Sequence, residues 1–165
     1  MRYLKTCLPV FIWMAVIFFA STDIGSFRNT SRVVGPIVRW FKPAATESDI
    51  KLVQAIVRKT GHVTEYAILA VLMWRARRGL RGSFREWRWK EFFGIVALCS
   101  LYACTDEFHQ RFVASRMSSP EDVLIDTAGA CLGLLAVFSV GRYRKIWNST
   151  AESESLPAGS SPQSS

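Results

Sequence analysis

At 165 residues the chain is one domain's worth of protein, half of it apolar, with 13% aromatic residues and a formal charge of +8. Its Lys and Arg sit in blocks between apolar runs, which is how membrane proteins distribute charge. No zinc-finger spacing, RNP-type aromatic motif or helix-turn-helix pattern is present, so the basicity reads as membrane topology and not as nucleic-acid binding.

Met1 to Lys5 is a short basic start, and Leu8 to Ala20 is almost wholly apolar. A first transmembrane helix is expected over about residues 4–22, spanning about 28 Å, close to the thickness of a hydrocarbon core. The competing reading, a signal peptide, lacks a convincing A-x-A cleavage site at Ala20-Ser21-Thr22-Asp23.

From Asp23 to Asp49 the chain is polar and broken by Gly25, Gly35, Pro36 and Pro43, with an apolar patch of Val33, Val34, Ile37, Val38, Trp40 and Phe41. This predicts a loop carrying a short interfacial helix. Ile50, Val53, Ile56 and Val57 then recur at helical spacing after Asp49, which reads as the N-cap of a short amphipathic helix on the membrane surface.

The second span is expected at about 60–75. His62 and Glu65 interrupt its start, but Arg58 and Lys59 bracket one end and Arg75, Arg77 and Arg78 the other, where they can snorkel outwards. Residues 75–91 form a basic hinge in which Trp87 and Trp89 lie among Arg85, Arg88 and Lys90, the pattern of an interfacial anchor near anionic headgroups. A third span is expected at about 92–109 and a fourth at about 122–141. The fourth contains Gly129 and Gly133 in a G-x-x-x-G stripe, where another helix can approach closely. Cys7, Cys99, Cys104 and Cys131 all fall in apolar runs, make no C-x-x-C pair and read as small packing residues. Residues 148–165 are Ser-rich with little to bury, and read as a disordered tail after a membrane domain of 1–147.

The fold class that follows is an all-α integral membrane protein, a four-helix bundle with an interfacial amphipathic segment between its first two spans. Four spans put both termini and the basic hinge on one side, which then holds twelve of the 21 Lys and Arg. By the positive-inside rule that side is cytoplasmic, and the protein is a multi-pass component of the inner, or plasma, membrane.

This topology collects polar residues at the outer face. Ser21 and Asp23 end the first span, His62, Glu65 and Tyr66 begin the second, Asp106, Glu107 and Gln110 end the third, and Asp122 and Asp126 begin the fourth. His62, Glu65, Tyr66 and Leu69 follow i, i+3, i+4, i+7, while Asp122, Asp126, Gly129 and Gly133 form one stripe, so each helix can turn its polar face inwards. A carboxylate at such depth needs a cation, a metal or its own proton. Arg116 is the natural cation, since its forked donors can hold two carboxylate oxygens. His62 and His109 can serve as ligands, as acid/base groups or as satisfied structural residues. Three roles stay open for the cluster: an Arg-carboxylate network fixing helix register, a binding site, or a catalytic centre. A divalent metal held by His62, Glu65, Asp106 and Asp126 is chemically permissible, though His-x-x-Glu is a weak spacing. No cofactor is identified, and no nucleophile elbow, P-loop or Rossmann glycine pattern is present.

Three ordered motifs also carry a family resemblance. Lys59-Thr60-Gly61-His62-Val63-Thr64-Glu65-Tyr66, Asp106-Glu107-Phe108-His109-Gln110-Arg111-Phe112-Val113-Ala114-Ser115-Arg116 and Asp122-Val123-Leu124-Ile125-Asp126-Thr127-Ala128-Gly129 together resemble the VanZ-like membrane proteins over about residues 10–140. The resemblance implies a small multi-pass protein of the bacterial cell envelope, in a family named after a member associated with resistance to the glycopeptide teicoplanin. Its matching positions are His62, Glu65, Tyr66, Asp106, Glu107, Gln110, Arg116, Asp122, Asp126 and Gly129. Ala114-Ser115 stands before Arg116 where the family often has Pro-Gly, so the turn there differs.

The expected function is an outer-face polar pocket that binds a lipid headgroup or a lipid-linked envelope precursor, with membrane lipids as partners. The alternative is a membrane-embedded enzyme acting on a lipid-like substrate through the same carboxylate and His cluster, and a third class is a proton or solute carrier.

Overall fold

The computed structural model describes residues 2–22, 27–82, 86–112 and 120–147. Among these the chain is all-helical, with five helices: α1 Arg2–Ala20, α2 Phe27–Phe41, α3 Glu47–Arg81, α4 Trp89–Gln110 and α5 Pro120–Tyr143. The expected tail at 148–165 and the loop holding Arg116 lie outside the described residues.

The largest departure from the expected elements is α3. The amphipathic stretch after Asp49 and the span expected at 60–75 are one continuous helix of 35 residues, about 52 Å long at 1.5 Å per residue. Gly61, at the expected junction, stays helical. The N-cap is Thr46, not Asp49: the Thr46 hydroxyl accepts from the Asp49 N–H at 3.2 Å and the Asp49 carboxylate accepts from the Thr46 N–H at 3.0 Å, a closed capping box. The helix stops at Gly82, whose φ of 74° lets its N–H return to the Arg78 carbonyl at 2.9 Å. The segment expected to be mostly loop is α2, a helix of 15 residues with Pro36 inside it. It is tied to the first turn of α3 by Arg39 to Glu47 and by Lys42 to Asp49 at 3.0 Å.

Contacts along the helices fix their directions. Trp13 Nε1 donates to the Glu65 carbonyl at 2.9 Å and Thr6 faces Gly79, so α1 runs antiparallel to α3. The Tyr102 hydroxyl donates to the Met14 carbonyl at 2.7 Å, placing α4 beside α1. α5 runs parallel to α3, with Gly129 on Val63 and Gly133 on Ala67. At both glycines the two backbones touch, because a side chain on α5 would fill the space that α3 occupies.

Burial is inverted relative to a water-soluble bundle. A narrow seam of Ile17, Tyr66, Leu69, Ala70, Cys99, Ala103, Ala130 and Leu134 is fully buried, while Phe11, Phe19, Phe93, Leu101, Leu124 and Leu132 face outwards. Two helices, over Tyr3–Ala20 and Glu121–Tyr143, are long and apolar enough to cross a membrane. On length and hydropathy alone, two of the four expected spans therefore qualify; α3 carries charged residues along its length, Arg58, Lys59 and Glu65 among them, and α4 carries them near its ends.

Candidate functional site

Parallel packing of α3 and α5 pairs their polar stripes rung by rung. Four residues is just over one helical turn, so Arg58 and His62 stack on α3 as Asp122 and Asp126 do on α5. Arg58 contacts the Asp122 carboxylate, and His62 Nδ1 lies 3.2 Å from Asp126 Oδ1. One turn deeper the glycine contacts begin, Gly129 on Val63 and Gly133 on Ala67. The glycines thus bring the backbones close enough for the short Asp126 side chain to reach the imidazole.

A second set of polar groups joins from α1 and α4. Asp106 Oδ2 accepts from the Ser21 hydroxyl at 2.7 Å and from Gln110 Nε2 at 3.0 Å. Ser21 is the first residue after α1, and Gln110 is one turn beyond Asp106 on α4. Tyr66 joins the two sets: its ring centroid lies 6.3 Å from that of Tyr102, and its hydroxyl is within Coulombic reach of both Asp126 and Asp106. Glu65 and Asp122 are in turn within such reach of His62. His109, at the same end, stacks on Phe18 at 4.4 Å between centroids.

Burial of this cluster is close to complete. Tyr66, Gln110 and Asp126 are 0% exposed, and Ser21, His62, Asp106, Glu107 and Asp122 are buried. Among the described residues, the Tyr66 hydroxyl, Gln110 Oε1 and Asp126 Oδ2 are buried with no hydrogen-bond partner. A buried polar atom without any partner costs roughly 1–3 kcal/mol.

Sequence-predicted residues thus meet at one end of the bundle, with two lying outside the described residues: Asp23, and Arg116, assigned as the carboxylates' cation. Arg58 is the cation that the sequence reading missed, having been taken for a snorkelling end residue. The signal was present in the spacing, since Arg58 stands four residues before His62 as Asp122 stands four before Asp126. Among the described residues no group of three or more His, Cys, Asp and Glu side chains is arranged to hold a metal ion.

The opposite end carries a second polar centre that the sequence reading treated only as a basic hinge. Arg78 is 1% exposed and its Nε lies 3.1 Å from Glu91 Oε2; Arg77 reaches Glu91 at 3.5 Å, and Arg81 contacts it as well. Around this pair Trp74, Trp87, Trp89 and Trp147 form a connected aromatic slab, with Trp87 centroids 5.8 Å from Trp89 and 5.6 Å from Trp147. Trp147 folds back after a left-handed Lys145 (φ 52°), and its indole N–H donates to the Phe138 carbonyl at 2.9 Å.

A family model described as VanZ/LLP1 matches residues 6–141, most of the chain. No curated protein and no solved structure matches.

Proposed function

This chain belongs to the VanZ/LLP1 family, and from that premise we propose that it is a four-span membrane protein of the bacterial cell envelope whose polar cluster binds the headgroup of a lipid or of a lipid-linked envelope precursor. In this reading α1, the later two-thirds of α3, α4 and α5 cross the bilayer, both termini are cytoplasmic, and the cluster sits at the outer face. The outward Phe and Leu side chains on all four helices support such an environment, because in water they would be a large exposed apolar surface. Charged residues within α3 and α4 are compatible with spanning when they face the bundle interior and pair, as His62, Asp106 and Asp126 do.

The observation that supports the binding reading is the set of buried atoms lacking partners among the described residues. Gln110 Oε1 and Asp126 Oδ2 are acceptors, and the Tyr66 hydroxyl can donate or accept. Around them stand Glu65, Asp106, Glu107, Asp122 and Asp126 against Arg58 and His62, an excess of carboxylates. Such a lining favours a headgroup that donates hydrogen bonds, an ammonium or a set of sugar hydroxyls, over a bare phosphate. The test is thermal stability of the purified protein titrated with phosphatidylethanolamine or with phosphatidylglycerol. The amine lipid is expected to raise the melting temperature of wild type and not that of Asp126→Asn, provided the unliganded variant stays folded. Equal protection of both proteins by both lipids refutes this reading.

One contact favours a second reading, a membrane-embedded enzyme acting on a lipid-like substrate. A buried carboxylate 3.2 Å from an imidazole is the pairing that orients a general base. Conversion of a lipid by wild type, abolished in a folded His62→Gln variant, would establish it. No association with teicoplanin resistance is needed by either reading, and drug susceptibility of a deletion strain tests that association separately.

A further inference from the structure

At the end of the bundle away from the acidic cluster, a cavity of about 440 Å³ opens between the last turn of α3 and the first turn of α4. Arg77, Arg81, Arg88 and Lys90 line it together with Trp89 and Glu91. Among the described residues Glu91 is the only carboxylate in that lining, and it is already in contact with Arg77, Arg78 and Arg81. Arg88 is held by Glu86 at 2.8 and 3.0 Å. Four lining cations therefore stand against Glu91 and the neighbouring Glu86, and Glu91 is further held by the buried Arg78.

Two further features point the same way. α4 starts beside the cavity with Arg88 as its N-cap residue and no side-chain cap, and the positive end of its dipole adds to the local potential. Ser, Thr, Asp or Asn at that position would supply an anionic or polar cap; the arginine supplies a further cation instead, while the Glu91 and Phe92 N–H groups donate to its own carbonyl at 3.0 and 3.2 Å. Trp89, half exposed in the lining, belongs to the indole slab, the side-chain type that settles at the headgroup level of a bilayer.

We propose that this cavity binds a phosphate group, and that the phosphate is that of an anionic phospholipid of the cytoplasmic leaflet. The proposal rests on the membrane-spanning reading and makes the protein bipolar in its lipid recognition: donor-bearing headgroups at the acidic end, phosphate at the basic end. Lys90 and Arg77 are exposed and not part of the buried pair's direct replacement set, because Arg78 and Arg81 still hold Glu91 when either is changed.

Native mass spectrometry of detergent-purified protein, titrated with phosphatidylglycerol or phosphatidylcholine, tests it. Wild type is expected to retain phosphatidylglycerol preferentially, with retention falling as salt rises. Lys90→Gln and Arg77→Gln should each weaken that retention by about fivefold, as loss of one cation near a headgroup does, while Lys90→Arg keeps it. Unchanged melting temperatures establish that the variants are folded. Equal retention of the two lipids, or undiminished phosphatidylglycerol binding by both Gln variants, overturns the proposal. Displacement of the lipid by millimolar inorganic phosphate would assign the cavity to a soluble anion and overturn the lipid part. Failure of the membrane reading looks different: the chain would then be released from membranes by alkaline carbonate without detergent.

Discussion

Replacing Gly129 with Ala tests the link between helix packing and the acidic cluster. A Cβ at Gly129 would stand 2.5 Å from the Val63 carbonyl oxygen and 2.9 Å from Val63 Cα; at Gly133 the same distances to Ala67 are 2.5 and 2.8 Å. These are backbone atoms of a continuous helix, so no rotamer change relieves the overlap. Ordinary contact needs about 3.5 Å or more, which requires α5 to move off α3 by about 1 Å. Overpacking of this kind costs roughly 1–3 kcal/mol, or a fall in melting temperature of roughly 2 to 10 °C for a chain of this size. One displacement relieves both sites, so the double variant Gly129→Ala/Gly133→Ala should lose less than the two singles added together. The same 1 Å also stretches the His62–Asp126 contact from 3.2 Å to beyond 4 Å, so lipid protection at the acidic end should fall along with stability. Gly61→Ala and Gly94→Ala are the controls, because a Cβ at either meets nothing within 4 Å. In a helix interior those two changes should stabilise by about 0.5–1 kcal/mol. Thermal melts of the purified proteins decide the matter. If Gly129→Ala melts with the controls at or above wild type, the backbones do not touch and the reasoning fails.

Two other perturbations probe the rest of the frame. Glu91→Gln leaves Arg78, 1% exposed, without its carboxylate; breaking a buried pair from one side costs about 3–5 kcal/mol. Arg78→Met in the same chain should recover most of that loss, and a single variant as stable as the double, measured by thermal melting, would count against the buried pair. Thr46→Ala opens the capping box and should cost the N-terminal turn of α3 about 1 kcal/mol, seen as faster hydrogen exchange near Glu47 to Ile50. Asp49 in that box has its pKa lowered, first by the hydrogen bond from the Thr46 backbone and then by Lys42. A depressed carboxylate pKa stabilises fully above the unfolded value of 3.8 and loses that contribution as pH falls through the folded one. Local exchange protection should accordingly drop on acidification below about pH 4 in wild type, and the drop should be absent in Asp49→Asn.

Polar stripes were readable in the sequence because helical spacing is local: His62 to Leu69 and Asp122 to Gly133 keep one face each whatever surrounds them. Which stripes would meet was not local. Arg58 and Lys59 look like the end of a hydrophobic run, and only the parallel alignment of α3 with α5 makes Arg58 the partner of Asp122. The length of α3 was hidden for a related reason. Arg58 and Lys59, between an amphipathic pattern and an apolar one, read as the bracket of a new span, yet they do not break a helix whose capping box at Thr46 and left-handed Gly82 are the true stops. Thr46-Glu47-Ser48-Asp49 did carry that start signal, displaced by three residues from the Asp49 cap assigned to it. Glu91 was the hardest to see. It is one of two carboxylates, with Glu86, in a stretch that is otherwise mostly basic and aromatic, and nothing local distinguishes it until α3 is long enough to bring Arg77, Arg78 and Arg81 to it. The error in the length of α3 and the missed inner polar centre therefore have a single origin. A helix ending at residue 75 places no arginine beside Glu91, and one that runs to Arg81 places three.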